Sequence, residues 1–464
     1  MRKFTHKLFL VSVLLVFAGA SAADDFNTLD YHQAVDIALK NNELVRAAEK
    51  MVGAARAEAK AQYAPFLPQL STSYSYTRLD KAPSTTFDFG DGPESINLGT
   101  ADNYEWSFNF VFPIYAGGAK SAAKKMIGIN EEIAGNNLDI ARRGISYGVT
   151  NTFMNALSAQ HAVDVMKASH ELTSQAYEEA VKWQEEGYFS GSEVLQMEVA
   201  MGRAEMQLNK AIDKEYSAKQ SLAQLLGMES ISSLQLDEPE SAPASDEIDL
   251  LKILEIAKSK NSDIHGLELQ IQMLKKRLEL VKSGKRPSLN FVSNYTNQGD
   301  SPDVSGNGFN DPNTFTATLQ LNWSIYDSKK ISNEKKQLED SISALEFQKK
   351  DAIEKLEIDL ESSLNDYLRS MKNIKISKRN LESAEENFRI LTERYREGLE
   401  KSLNLLDGEA MLTSARLDYK NSIFDSHTQL AKLAMLTGFE TTVEFINSTI
   451  PFQLNPGIEP DNQR

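Results

Sequence analysis

Between Tyr104 and Phe112 the chain alternates aromatic and polar residues. Tyr104, Trp106, Phe108, Phe110 and Phe112 fall on one parity, and Glu105, Ser107 and Asn109 on the other. Side chains of an extended strand point to opposite faces with a period of two, so this stretch predicts a strand with one aromatic and one polar face. A second strand reads Phe315, Ala317, Leu319, Leu321, Trp323 and Ile325 against Thr316, Thr318, Gln320, Asn322 and Ser324. Weaker alternation at Leu70, Thr72, Tyr74 and Tyr76, and at Leu289, Phe291 and Tyr295, supplies a partner for each. The segments between partners, 81–102 and 298–313, are rich in Gly, Asp, Pro, Ser and Asn, so each pair is expected to be a β-hairpin. The strands are expected over 68–78, 103–113, 287–296 and 314–325. Strands of about ten residues suit a tilted crossing of roughly 30 Å of hydrocarbon, with lipid outside and water inside.

Past each hairpin the period becomes helical. No proline falls between Pro113 and Pro239 or between Pro312 and Pro451. Both spans are rich in Ala, Leu, Glu, Lys, Gln and Met, which lose little rotamer freedom in a helix. A helix from Ile114 to Glu186 would reach on the order of 110 Å at a rise of 1.5 Å per residue. After Gly187 the positions Val194, Met197, Met201, Ala204, Leu208, Ala211, Ala218, Leu222 and Leu225 follow a three-four alternation broken at Glu215, the seam of a coiled coil. Gly187 and Gly398 offer the positive φ of a helix end, and Ser192 and Ser402 are expected to start the returning helices. The two turns are expected over 187–192 and 398–403.

The chain contains one unit twice. Asp36-Ile37-Ala38 with Asn42 and Val45 recurs as Glu255-Ile256-Ala257 with Asn261 and Ile264, a shift of 219 residues that also relates Pro68 to Pro287. Ile114-Tyr115 recurs as Ile325-Tyr326, Glu186-Gly187 as Glu397-Gly398, and Leu222-Ala223 with Gly227 as Leu433-Ala434 with Gly438, all at a shift of 211. The difference must arise inside the first hairpin, where loops vary in length. The repeats are expected to span 24–229 and 249–440, with a Pro/Ser/Glu-rich linker at 230–248 and a tail at 441–464.

Composition narrows the class. The basic start with Arg2, Lys3 and Lys7, the apolar stretch Leu8 to Ala18 and the small residues Ala20, Ser21 and Ala22 predict a secretory signal peptide over 1–22. Elsewhere no run of about 18 apolar residues exists, so no transmembrane helix is expected. A formal charge of −16 and a pI near 5.0 disfavour nucleic acid as a partner and favour cations in an enclosed space. There are no cysteines, so no disulfide framework or thiolate metal site. The six histidines, His6, His32, His161, His170, His265 and His427, form no metal-ligand spacing. No nucleophile elbow or phosphate loop appears, and Asp300, Asp303 and Asp311 lack the spacing of a calcium loop. No enzyme activity, cofactor or metal is therefore expected.

Four strands cannot close a barrel around water, and in hydrocarbon every open edge leaves N–H and C=O groups unsatisfied. Two copies would give eight strands with a filled interior; three would give twelve with room for a pore. With the tandem repeat, the proline before each hairpin, the junction Phe112-Pro113-Ile114-Tyr115-Ala116-Gly117-Gly118 and the two glycine turns, the whole mature chain resembles the TolC family of outer-membrane factors.

The resemblance implies a mainly α, mixed fold: a homotrimeric 12-stranded transmembrane β-barrel continued by a periplasmic α-helical coiled-coil barrel. The linker and chain ends would form an equatorial region. It implies residence in the outer membrane and service as the exit duct of a tripartite efflux pump or type I secretion system, with a periplasmic adaptor and an inner-membrane transporter as partners. Adaptor docking would fall at Gly187, Tyr188, Phe189, Gly398 and Leu399. The family narrows its pore with carboxylates six and nine residues past the second glycine; here these positions hold Asn404 and Asp407, so one charge is lost. Tyr395 matches the tyrosine of the associated polar clamp, Glu400 stands where the family has an arginine, and Ser192 and Glu193 match the polar partners in the first copy. A soluble periplasmic coiled-coil scaffold is the alternative; it explains the helices and the acidity but not the aromatic strands.

Overall fold

The computed structural model describes residues 28–88, 90, 92–231, 234–239, 248–309 and 311–449. The expected signal peptide, most of the linker and positions 450–464 of the tail lie outside the described residues. A short strand β1 (Thr28–Leu29) leads into α1 (Tyr31–Asn41) and α2 (Glu43–Tyr63), then β2 (Gln69–Arg78). A small hairpin, β3 (Ser84–Asp88) and β4 (Pro93–Asn97), precedes β5 (Asp102–Ala116) and two long helices, α3 (Ala119–Glu185) and α4 (Gly191–Leu226). After β6 (Gln235–Leu236) the series restarts with α5 (Leu250–Lys260), α6 (Ser262–Ser283), β7 (Ser288–Gly299), β8 (Asn313–Asn322), α7 (Lys330–Arg396) and α8 (Ser402–Thr437), and α9 (Thr442–Thr449) ends the described chain.

The repeat is carried into the backbone. Helices α3 and α7 are each 67 residues long and α4 and α8 each 36. At the strand-to-helix junction Gly117 and Gly118 have φ of 62° and 97°, and their counterparts Ser328 and Lys329 repeat the turn at 52° and 66°. A left-handed conformation costs a non-glycine residue roughly 1–2 kcal/mol. Asp327 offsets it by accepting the Lys329 and Ile331 amides at 3.1 and 3.0 Å. Gly117 has no such freedom, since a Cβ there would lie 2.6 Å from the Ser283 carbonyl.

The four long strands form one antiparallel sheet in the order β2-β5-β7-β8. Register sets Tyr74 opposite Trp106, Phe108 opposite Tyr295, Phe112 opposite Phe291 and Phe291 opposite Leu319, so the aromatic and aliphatic parities fall on one face. Tyr76 stacks on Tyr104 at 4.6 Å and Phe110 meets Phe291 edge-on at 6.1 Å. The other face pairs Ser73 with Ser107 and Asn109 with Asn294.

Three expectations change. The helix does not start at Ile114: β5 continues to Ala116 through a bulge between Pro113 and Tyr115, because β7 keeps supplying partners down to Ser288. Conversely β8 stops at Asn322, opposite Ser288, where its partner begins. The first loop is not irregular throughout, since Ser84–Asp88 and Pro93–Asn97 pair as β3 and β4.

The core sits at the waist, in two related clusters. In the first, α1 lays Ala34, Val35 and Ala38 against Phe153 and Leu157 of α3 and Leu222 and Leu226 of α4, with Leu29 and Leu236 of the parallel β1–β6 pair sealing the end. The second joins Ile253 of α5, Leu360 and Tyr367 of α7, Leu433 of α8 and Phe445 of α9. At each waist one asparagine links two helices. Asn42 accepts from Leu44 N–H at 2.9 Å, capping α2, while its Nδ2 donates to Leu225 O at 2.8 Å near the end of α4. Asn261 does the same for α6 and α8, accepting from Asp263 N–H and donating to Leu436 O at 3.1 Å. The short helix therefore prolongs the long one, dipoles aligned head to tail. Gly227 and Gly438 allow the close approach, since a Cβ on them would lie 2.9 Å from Asn41 O at the end of α1 and 2.6 Å from Lys260 O at the end of α5.

Arg143 of α3 fastens the second joint. Its guanidinium donates to Gly438 O at 2.9 Å, to Lys260 O at 3.3 Å and to the Ser262 hydroxyl. Burial lowers its pKa, while the carbonyl ends of α5 and α8 favour a cation.

Candidate functional site at the helix tips

The two hairpin tips close alike. Gly187 and Gly398 take φ of 80° and 71°. The next amide reaches back, Tyr188 N–H to Trp183 O and Leu399 N–H to Arg394 O, both at 2.8 Å. The glycine amides donate to Gln184 O and Tyr395 O at 3.0 Å, completing a Schellman closure twice over. The returning helix α4 is capped by Ser190, not Ser192. Glu193 accepts the Ser190 amide at 2.8 Å and its hydroxyl at 2.9 Å. A serine three residues before a glutamate is the spacing of a capping box, a signal present in the sequence. Ser192 lies exposed one turn position on. Helix α8 begins at Ser402, with Lys401 in the cap position and no side-chain cap bond.

The tips are tied together by an aromatic cluster. Tyr395, 2% exposed, places its ring 5.2 Å from Trp183 and 6.2 Å from Phe189, and those two meet edge-on at 4.9 Å. Ala180, Val194, Met197 and Leu405 complete the packing. Burial raises the Tyr395 phenol above its ordinary pKa, with the nearby Ser402 hydroxyl pulling the other way. Neither oxygen meets a partner in hydrogen-bonding geometry among the described residues. Tyr395 packs α7 against α3 through this cluster.

Glu400, where an arginine was expected, turns to its own hairpin. It accepts from Asn404 Nδ2 at 2.5 Å and pairs with Arg394 Nε at 3.3 Å. The Asn404 amide, the Lys401 backbone and Arg394 together hold its carboxyl below the usual range. Asp407 is exposed on α8, and Glu193 is committed to its cap. Of the docking candidates, Tyr188 is 78% and Leu399 65% exposed, whereas Phe189 turns into the cluster. Trp183 and Arg394 were not read from the sequence. A tryptophan four residues before the closing glycine is a signal, but its partner Tyr395 is two hundred residues away.

Nearer the waist, β6 is strapped across α3 and α8. Gln160 donates to Leu236 O at 3.1 Å and accepts Leu236 N–H at 3.2 Å, replacing a neighbouring strand. Glu238 forms an ion pair with Lys420 and lies 4.0 Å from His161 Nδ1. Burial lowers the His161 pKa, opposed by Glu238, and its Nε2 has no hydrogen-bond partner among the described residues.

The family profile described as outer membrane efflux protein matches residues 34–228 and 253–438, one segment per repeat. The chain belongs to the outer membrane efflux protein family. Solved structures of similar shape include outer-membrane channels. The Campylobacter jejuni CmeC outer membrane channel aligns with this efflux protein at a TM-score of 0.74 and 15% identity, over 91% of this chain and 90% of that one. VceC from Vibrio cholerae aligns at 0.71 and 16%, covering 88% and 96%. The open-state MtrE channel of Neisseria gonorrhoeae aligns at 0.69 and 15%, covering 88% and 89%. No curated protein matches the chain. As a member of this family the efflux protein is an outer-membrane duct with a periplasmic extension, and the scaffold alternative is not favoured.

Proposed function

We propose that three copies of this efflux protein close one 12-stranded barrel in the outer membrane and one helical tube below it. Cargo then passes passively outward, handed over by an inner-membrane transporter through a periplasmic adaptor. The repeats 24–229 and 249–440 would be the two quasi-equivalent staves of each copy, with 230–248 and 441–464 wrapping the equator. The observation that carries this reading is the sheet itself: four strands with an aromatic face, and outer strands β2 and β8 each paired on one side only. Open edges in hydrocarbon cost several kcal/mol per unsatisfied group, and neighbouring copies offer the missing partners.

The tips would serve as docking points and gate. Exposed Tyr188 and Leu399, presented by the turns at Gly187 and Gly398, are the apolar contacts for the adaptor, with Phe189 supporting the first turn from within. The exposed Asp407 of each copy would form an acidic ring around the axis, with Asn404 adding a neutral ring beside it and Glu400 clasping Asn404 in place. Tyr395 and the Ser190–Glu193 cap hold the framework; Ser192 lies on the same rim. In planar bilayers Asp407→Ala is expected to lower the cation-to-anion permeability ratio by about twofold or more, as loss of a pore carboxylate does. An unchanged ratio would take Asp407 out of the pore.

A further inference from the structure

We infer that Glu105 is an ion-selecting residue of the duct, set in the membrane sheet near the outer mouth, where it favours small hydrated cations over anions. This rests on the barrel proposed above and adds a selective position at the end of the tube opposite Asp407.

The strand parities carry the argument. Register puts the odd positions of β2 and β5 and the even positions of β7 and β8 on the face turned away from the aromatic one. That face is mostly hydroxyl and carboxamide: Ser107 lies between Ser73 and Thr296, and Asn109 opposite Asn294. Glu105 is its one charged residue within the four strands. Along the whole chain 25% of residues are charged, so this surface is wettable but almost neutral, and ions can be sorted on it at one level only. Glu105 is exposed there, opposite Ser75 on β2 and Gln298 on β7. No cation on the face answers it, because Arg78, the one basic residue of the four strands, has the other parity and pairs with Asp102 at 3.1 Å.

The loops beyond the same end of the sheet repeat the sign. Residues 79–101 and 300–312 hold seven acidic side chains against the single Lys81. Such a mouth gathers cations before they reach Glu105.

Magnitudes say when the effect is felt. Twelve strands about 4.8 Å apart and tilted by about 40° close at a radius of about 12 Å, which sets three Glu105 carboxylates on the order of 10 Å from the axis. Charges are screened over about 30 Å in 0.01 M salt and about 3 Å in 1 M salt. Selection by Glu105 is therefore strong in dilute salt and absent in concentrated salt. Asp407 lies at the far end of helices of 67 residues, about 100 Å away at 1.5 Å per residue, so the two positions act independently.

The test is the potassium-to-chloride permeability ratio of the full-length duct in planar bilayers. Glu105→Gln is expected to lower the ratio about twofold or more in ~0.01 M salt, and Glu105→Lys to lower it further, while conductance in ~1 M salt stays at the wild-type value. The chain has no cysteine of its own, so Glu105→Cys gives a single chemical handle. A sulfonate-bearing thiol reagent should restore the cation preference of that variant, and an ammonium-bearing one should push it toward anions. Equal ratios in wild type, Glu105→Gln and Glu105→Lys, or a cysteine variant indifferent to both reagents, overturn the inference and leave the duct standing. A wild-type chain that opens no channel overturns both.

Discussion

Tyr395 puts its ring between the two helical hairpins and leaves its buried hydroxyl without a hydrogen-bond partner among the described residues. Removing the oxygen should then cost nothing, while removing the ring empties a packed site. Tyr395→Phe is expected to match or exceed wild-type thermal stability, and Tyr395→Ala to lose about 3–5 kcal/mol, the usual toll of a core aromatic, with a rise in resting single-channel conductance. A destabilised phenylalanine variant would show that the hydroxyl has a partner after all. His161 carries the opposite kind of constraint. Its folded pKa lies below the ordinary 6.5 because burial disfavours the cation. The neutral form therefore stabilises the strap fully above 6.5, and that contribution is lost as pH falls toward the folded value. Hydrogen-exchange protection factors in residues 234–239, taken relative to the intrinsic rate at each pH, should fall between pH 7.5 and 5.5 in the wild type and change less in His161→Gln; parallel profiles would exclude the histidine.

Asn42 and Asn261 each convert two helices into one stave. Each side chain satisfies an amide at one helix start and a carbonyl at another helix end, so a single truncation orphans both. Asn261→Ala is expected to cost about 1–2 kcal/mol, in line with other lost caps, and to raise hydrogen exchange in the last turn of α8. Asn42→Ala should do the same at the end of α4. Equal exchange in wild type and variants would mean the stacked helices hold without the link. At the seam of α4, Val194, Met197, Ala204, Ala211 and Leu222 are buried and Met201, Leu208, Ala218 and Leu225 half-buried. Glu215, the break in that seam, pairs at 2.9 Å with Lys219, whose ammonium also donates to Leu234 O beside β6. The interruption is thus where the helix meets the strap.

At the scale of the whole molecule a short aromatic sheet is joined to helices of 67 residues, about 100 Å at 1.5 Å per residue. No described helix is long and apolar enough to cross a membrane; in the function proposed above the sheet is the membrane element. A high-salt or carbonate wash should leave the chain in the outer-membrane fraction, and only detergent should release it, at three times the protomer mass. Release by salt alone would return the molecule to the scaffold class.

The period of the apolar residues determined much of this by itself. Alternation at Tyr104–Phe112 gave the strand faces, the three-four spacing after Gly187 gave the seam, and self-similarity at two shifts gave the doubled unit; each signal is local or repeats along the chain. Strand ends were not legible, because β5 and β8 stop where β7 stops supplying hydrogen bonds, which their own residues do not encode. Nor were the roles at the tips. That Tyr395 joins an aromatic cluster depends on Trp183, brought to it only by the packing of α3 beside α8. Whether Glu400 breaks a clasp or makes one depends on Arg394 across the same turn. Periodicity decides which face of an element is apolar; only the tertiary structure decides what that face meets, because partners distant in sequence leave no trace in local spacing.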